Sequence, residues 1–338
     1  MFTASFGIFL LGLLASLAGG FVGAAIGGNF AFVLTGFNVL VAWGLFAGVG
    51  TTIGFDYLAF GPFAGPYVMF AGGAAAAAYA WKKGYLESAK DINSPLAGIG
   101  KLDVLLVGAL FGMFGYLFQI GVSYIPWFGK HTDSVALTVV VSALVARVLF
   151  GSKTGSGSIL NPEKYNNASG FMGKIAPTPE SQWLPWQEKF GYLVGLGGFF
   201  GAFAAGAAIM LGHFVPGAAG LANSFPFAIS AIIILFLIMG FNMPVQHHIT
   251  NIGGLAGVMF LPVIAGANFD WNGTWGSGDW TKAAIAILIG ALFGILSGWL
   301  CEFFARVWYD RGTTHVDPPA SAIWIMNTVV VSLAALLS

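Results

Sequence analysis

The sequence predicts an all-α integral membrane protein of about ten transmembrane helices, arranged as two inverted five-helix repeats with broken or half helices. Three observations carry that prediction. The chain of 338 residues is 57% hydrophobic and only 8% charged, with a mean hydropathy of +0.84. Soluble domains carry roughly 25% charged residues, so too few remain here to cover a soluble surface. Apolar runs of membrane-spanning length recur along the whole chain. Short strings also recur between the two halves at nearly constant spacing. Glycine, with 50 residues, is about twice as common as usual, which suits closely packed helices and irregular backbone at membrane depth. The roughly ten-residue alternating strands of a barrel are not in the sequence. Cys301, the single cysteine, allows no disulfide within one chain and reads as a packed core thiol.

In chain order, Met1-Phe-Thr-Ala-Ser-Phe-Gly-Ile-Phe-Leu-Leu-Gly12 has no basic region ahead of its apolar run and reads as the first span rather than a cleaved signal. Apolar segments follow at about 4–28, 29–52, 63–81, 102–126 and 134–150, and then at about 190–213, 225–241, 249–268, 282–308 and 319–337. Residues 1–150 form the first repeat, 151–189 a cytoplasmic linker and 190–338 the second repeat. The third and eighth segments read as short. Tyr67 to Trp81 reaches only about 22 Å at 1.5 Å per residue, less than a bilayer core of about 30 Å. Ahead of it, Gly54–Pro66 holds three glycines and two prolines, which break a helix while the chain stays at depth. The counterpart is Gly240–Gly254, with two of the five histidines, a proline, two asparagines and a glutamine. Lys82–Lys101 and Gly151–Lys189 are the long polar connections, and Trp183, Trp186, Trp271, Trp275 and Trp280 flank spans as interfacial anchors do.

The repeat rests on four matches. Gly108-Ala-Leu-Phe-Gly112 recurs as Gly290-Ala-Leu-Phe-Gly294, His131-Thr-Asp133 as His315-Val-Asp317, Gly54-Phe-Asp56 as Gly240-Phe-Asn242, and Gly19-Gly-Phe21 as Gly197-Gly-Phe199. Five spans per copy is odd, so the second copy sits inverted in the membrane. With that count, eleven lysines and arginines fall on one side and only Lys130 and Lys282 on the other. Basic residues collect on the cytoplasmic side, which places both termini outside and the protein, multi-pass, in the cell (inner) membrane. The string His315-Val-Asp-Pro-Pro-Ala320 loosely resembles the His-Pro-Pro motif of the HPP integral membrane family. The inserted Val316 and Asp317 and the larger number of spans depart from that family.

Inverted repeats with broken helices at matching positions mark secondary transporters. The helix starts near Tyr67 and Ile249 offer free N–H groups to an anion or a solute carbonyl. Asp56, Asn242, Gln246, His247, His248, Thr250 and Asn251 are the side chains expected to bind substrate there. The competing reading is a polar hairpin at the surface. Adjacent histidines on a helix point about 100° apart and do not chelate one metal, so no metal site is expected. His131, Asp133, His315 and Asp317 precede the last span of each repeat. N-capping explains both aspartates, and a gate or coupling site is the functional alternative. Glu302 and Arg306, at i and i+4, predict a salt bridge.

No Walker loop, nucleophile elbow or zinc-peptidase motif appears. The expectation is therefore not an enzyme but an ion-coupled secondary transporter of a small polar or anionic solute. The expected coupling ion is a proton or sodium, with no resident cofactor. A passive channel is the first alternative, and a membrane-embedded enzyme or non-transporting subunit the second. The expected partners are the lipid bilayer and a small-molecule or ion substrate. Zero net charge says nothing about nucleic acid; no nucleic acid is expected as a partner, and a homo-oligomer is compatible with the sequence.

Overall fold

A computed structural model describes residues 6–160, 175–176 and 181–338. Among the described residues there is no strand, and ten helices have fourteen residues or more. They are α1 (Phe6–Ile26), α2 (Gly28–Val49), α3 (Met69–Lys82), α4 (Leu102–Ser123), α5 (Ser134–Phe150), α6 (Phe190–Phe214), α7 (Ser224–Ile238), α8 (His247–Ala265), α9 (Ser277–Phe304) and α10 (Pro318–Leu337). Among the described residues eight helical segments are long and apolar enough to cross a membrane, the one ending in α7 being counted from Ala219, while α3 and α5 fall short. The chain is thus a helical protein suited to multi-pass membrane insertion.

Small residues decide which helices meet. On α1 the buried set is Gly12, Ala15, Ser16, Gly19, Gly20, Gly23 and Ala24, a stripe at helical spacing. Large apolar residues such as Leu10, Leu14 and Val22 point outward, where only lipid would welcome them. The stripe lies against Gly108 and Gly112 of α4, and a side chain at Gly20 would strike their backbone. In the second half, Gly197, Gly201 and Ala205 of α6 lie against Gly290 and Gly294 of α9 in the same way. α3 packs on α1 and α4, and α8 on α6 and α9. α2 packs against α7, and α5 against α10.

Breaks in the helices follow from local chemistry. Gly27, at φ 93, turns α1 into α2 in one residue. After α2 the chain forms a π-helical turn, Gly54–Ala59, and then an irregular stretch through Pro66 to the start of α3. A second π-turn, Ala305–Tyr309, follows α9. Asp133 and Asp317 accept from Ala136 N (2.8 Å) and Ala320 N (2.7 Å), so both are the N-caps the sequence predicts.

Two expectations are corrected. α8 is not a short helix. It begins at His247, two residues before the expected start, and its nineteen residues carry it to span length. The Glu302–Arg306 salt bridge does not form: neither Glu302 oxygen has a partner among the described residues. The π-turn that starts at Ala305 changes the register after Glu302, so the i,i+4 geometry of a regular helix is lost.

Candidate functional site

The starts of α3 and α8 open onto one cavity of about 500 Å³. Pro66 and Phe70 bring the first helix start to its wall, and His247 and Asn251 the second. Neither helix has a side-chain cap, but Met69 N and Ala71 N at the start of α3 donate to Gly65 O and Pro66 O. The Ile249 and Thr250 N–H groups both turn back to Gln246 O, leaving the donors before them as the orphan end of α8. The starts of α5 and α10 reach the same space through Asp133 and Asp317, but their first turns are already satisfied by those caps.

Aromatic rings make up much of the wall. Phe32 of α2 and Phe227 of α7 meet edge to face with centroids 5.8 Å apart. The His247 ring lies 4.6 Å from Phe32 and 6.2 Å from Phe227, and its Nδ1 has no hydrogen-bond partner among the described residues. Asn251 Oδ1 accepts from Asn223 Nδ2 at 2.9 Å. On the opposite side Asn29 Nδ2 donates to Asn93 Oδ1 at 2.6 Å. Farther along, Tyr309 takes the Lys90 Nζ over its ring at 4.6 Å and the His315 ring at 5.2 Å. His315 Nε2 is 3.4 Å from Asp317 Oδ1. Lys90, Tyr309, His315 and Asp317 all line the cavity.

The predicted site residues therefore divide. His247, Asn251, Asp133, His315 and Asp317 converge on the cavity. Asp56 lies off it, in the first π-turn, where its Oδ2 accepts from Thr52 Oγ1 at 2.7 Å. Asn242 is exposed on the segment before α8. Gln246 is buried but does not reach the lining. Thr250 is engaged with Ser230 at 2.8 Å. His248 is fully buried behind His247, ring centroids 5.9 Å apart, and its carbonyl accepts from Ser297 Oγ at 3.0 Å. His131 stacks on Trp127 with Nδ1 2.6 Å from Trp127 O, away from the lining. Among the described residues no group of three or more His, Cys, Asp or Glu is placed to hold an ion.

Sequence reasoning missed Phe32, Phe70 and Phe227, as well as Asn29, Asn93, Asn223, Lys90 and Tyr309. The asparagines carried a usable signal, because amide side chains beside or inside apolar runs are costly without a role. The phenylalanines did not, since 32 of them are spread through the chain.

The site offers a helix-start donor set, an unpartnered imidazole and amide groups, enclosed by aromatic rings. That set can hold and orient one small molecule through its carbonyl or anionic groups. The chain belongs to the family described as "Family of unknown function (DUF7973)", whose model matches residues 3–338. No curated protein and no solved structure matches it.

Proposed function

We propose that this member of the family is a membrane transport protein: an ion-coupled secondary transporter, driven by protons or sodium. Its solute is small, and polar or anionic, and is held between the starts of α3 and α8. The observation that carries the reading is the 500 Å³ cavity in a lipid-suited bundle, with the uncapped start of α8 on its wall, while the α3 start turns its first N–H groups back to Gly65 O and Pro66 O. Orphan N–H groups aimed into such a space attract a carboxylate, an anion or a carbonyl oxygen.

We further propose that the halves are an inverted duplication, and that the solute sits near its pseudo-two-fold axis. Matched packing supports this. Gly108 lies on Gly20, Ala24 and Gly72, and Gly290 lies on Gly201, Ala205 and Gly253. The α1–α4, α1–α3 and α3–α5 contacts have counterparts in α6–α9, α6–α8 and α8–α10. Gly73 approaches Gly28 as Gly254 approaches Asn223, which pairs Phe32 with Phe227. On this alignment Gly20 corresponds to Gly201, so the Gly197-Gly-Phe199 string is one helical turn from the true counterpart. Tyr67 and Pro66 correspond to His248 and His247, so the paired histidines belong to the second copy alone. The excess of basic residues supports a cytoplasmic 151–189 segment in the cell membrane, with both termini outside.

The test is a thermal-shift screen of the purified protein against small metabolites and ions, followed by flux of each hit in proteoliposomes. His247→Ala and Asn251→Ala should abolish the shift, and His213→Ala, whose ring packs 4.0 Å from Trp275 away from the cavity, should retain it. Saturable flux that follows an imposed pH or sodium gradient is the expected result. Rapid, gradient-independent flux would make the protein a channel instead. Three variants that behave alike would sink the site.

A further inference from the structure

Three acidic side chains meet behind the cavity wall, where α9 gives way to α10. Glu302 lies in the last turn of α9, Asp310 leaves the second π-turn, and Glu188 comes from the segment before α6. Glu188 and Glu302 are 4% exposed and Asp310 is 3% exposed. Their surroundings differ. Glu188 accepts from Trp183 N at 3.0 Å, Leu184 N at 3.2 Å and Gln182 Nε2 at 2.8 Å. Its two oxygens thus have three hydrogen-bond donors.

Glu302 and Asp310 have nothing comparable. None of their four carboxyl oxygens has a hydrogen-bond partner among the described residues. The Trp183 indole N–H faces Glu302 without closing a bond. Lys90 Nζ donates at 2.9 Å to the backbone carbonyl of Asp310 rather than to its carboxylate. A buried carboxylate without donors is costly as an anion, and the ordinary relief is to take up a proton. The π-turn holds the pair in place: Asp310 N donates to Ala305 O at 2.7 Å, and such turns gather at functional positions.

We propose that Glu302 and Asp310 form a proton-binding pair. The proton would be the coupling ion that the transport reading calls for, and that clause rests on the reading. The surrounding titratable and charged groups come from each neighbouring element. Cys301 lies on α9, Glu188 before α6, Lys90 on the α3–α4 connection and Asp317 at the start of α10. The π-turn and its exit add Arg306, Tyr309 and Arg311. Burial, followed by the Glu188 carboxylate, pushes Asp310 up to about 7, with Lys90, Arg306 and Arg311 pulling it back. Neither acid lines the cavity, but Tyr309, the chain neighbour of Asp310, does. The Tyr309 ring contacts those of Trp183 at 5.9 Å and His315 at 5.2 Å, and all three residues line the space. A change of charge at Asp310 is therefore felt where a solute would sit.

Infrared difference spectroscopy on the purified full chain reads the pair directly, through the carbonyl stretch of a protonated carboxyl group. Wild type should lose such a band as pH is raised through neutrality. Glu302→Gln and Asp310→Asn, each shaped like the protonated acid, should shift the midpoint singly and remove the transition together. Glu87→Gln, an exposed acid in the α3–α4 connection, should leave it unchanged. A near-neutral transition that survives both substitutions, or its absence from wild type, overturns the pair. The titration uses no solute, so it separates the two proposals. A wild type that titrates as expected while no thermal-shift hit is transported keeps the pair and removes the transport reading.

Discussion

At the scale of single residues, Asp133 and Asp317 show how far a local motif can be read. Each carboxylate accepts from the N–H three residues on, so removal should cost about 1 kcal/mol of stability at each site. Asp133→Ala should lower the unfolding temperature in detergent, and Asp133→Asn should largely restore it, since asparagine caps as well as aspartate. A restored cap with solute binding still lost would instead assign the charge to the solute. Asp310 gives a pH dependence whose sign follows from its environment. In the folded chain its carboxyl is raised from 3.8 to about 7, so the native state keeps a proton that the unfolded state releases. Its stabilising contribution is complete below about 4 and is lost as pH rises through about 7. Thermal unfolding followed between those limits should weaken toward alkaline pH, and Asp310→Asn should flatten that slope. The caps were legible because each depends only on its neighbours in the sequence. Asp56 was misleading for the same reason: its charge at a broken helix suggested depth, but Thr52, four residues earlier, takes its oxygen. The unpartnered acids were hidden because i,i+4 spacing implies a salt bridge only while the helix stays regular, and a π-turn begins at Ala305.

The helices themselves were legible because two periodicities coincide in them: apolar length, and small residues on one face. What composition could not supply is which glycines carry contacts. Gly20 faces Gly108 and Gly112 backbone to backbone, whereas Gly195 on α6 has nothing within 4 Å of where a Cβ would stand. Gly20→Val should separate α1 from α4 and give a polydisperse, poorly folded protein on size-exclusion chromatography. Gly195→Ala should run as wild type and unfold at the same or a slightly higher temperature, because alanine favours a helix over glycine by about 0.8–1 kcal/mol. If both variants behave alike, close backbone approach is not what fixes the α1–α4 contact. The length of α8 escaped the sequence reading because polar residues at 246–251 look like an interruption. Gln246 instead provides the carbonyl that starts the helix, and Thr250 is satisfied by Ser230 of α7. Polar side chains inside a span can continue a helix when a neighbouring helix supplies their partners.

At the scale of the whole molecule, the inverted architecture and the orientation make one joint prediction. The segment that follows α5 and the segment between α8 and α9 are separated by α6, α7 and α8. If each of those three helices crosses the membrane, the two segments lie on opposite sides, and the excess of lysine and arginine assigns the first to the cytoplasm. Ser156 and Thr274 are exposed reporters of the two segments, and the single native cysteine, Cys301, is fully buried. In a Cys301→Ser background, a membrane-impermeant maleimide applied to intact cells should label Thr274→Cys at once and Ser156→Cys only after permeabilisation. The opposite pattern would reverse the orientation while leaving an odd number of crossings intact. Equal labelling of both would mean that one of the three helices turns back within the membrane, and α8 would be the first suspect, because its polar start lies at the cavity. That result would also remove the inversion, since two copies related by a two-fold axis in the membrane plane require an odd number of crossings in each. Matched glycine contacts would then describe parallel copies, and the starts of α3 and α8 would no longer approach the cavity from opposite sides.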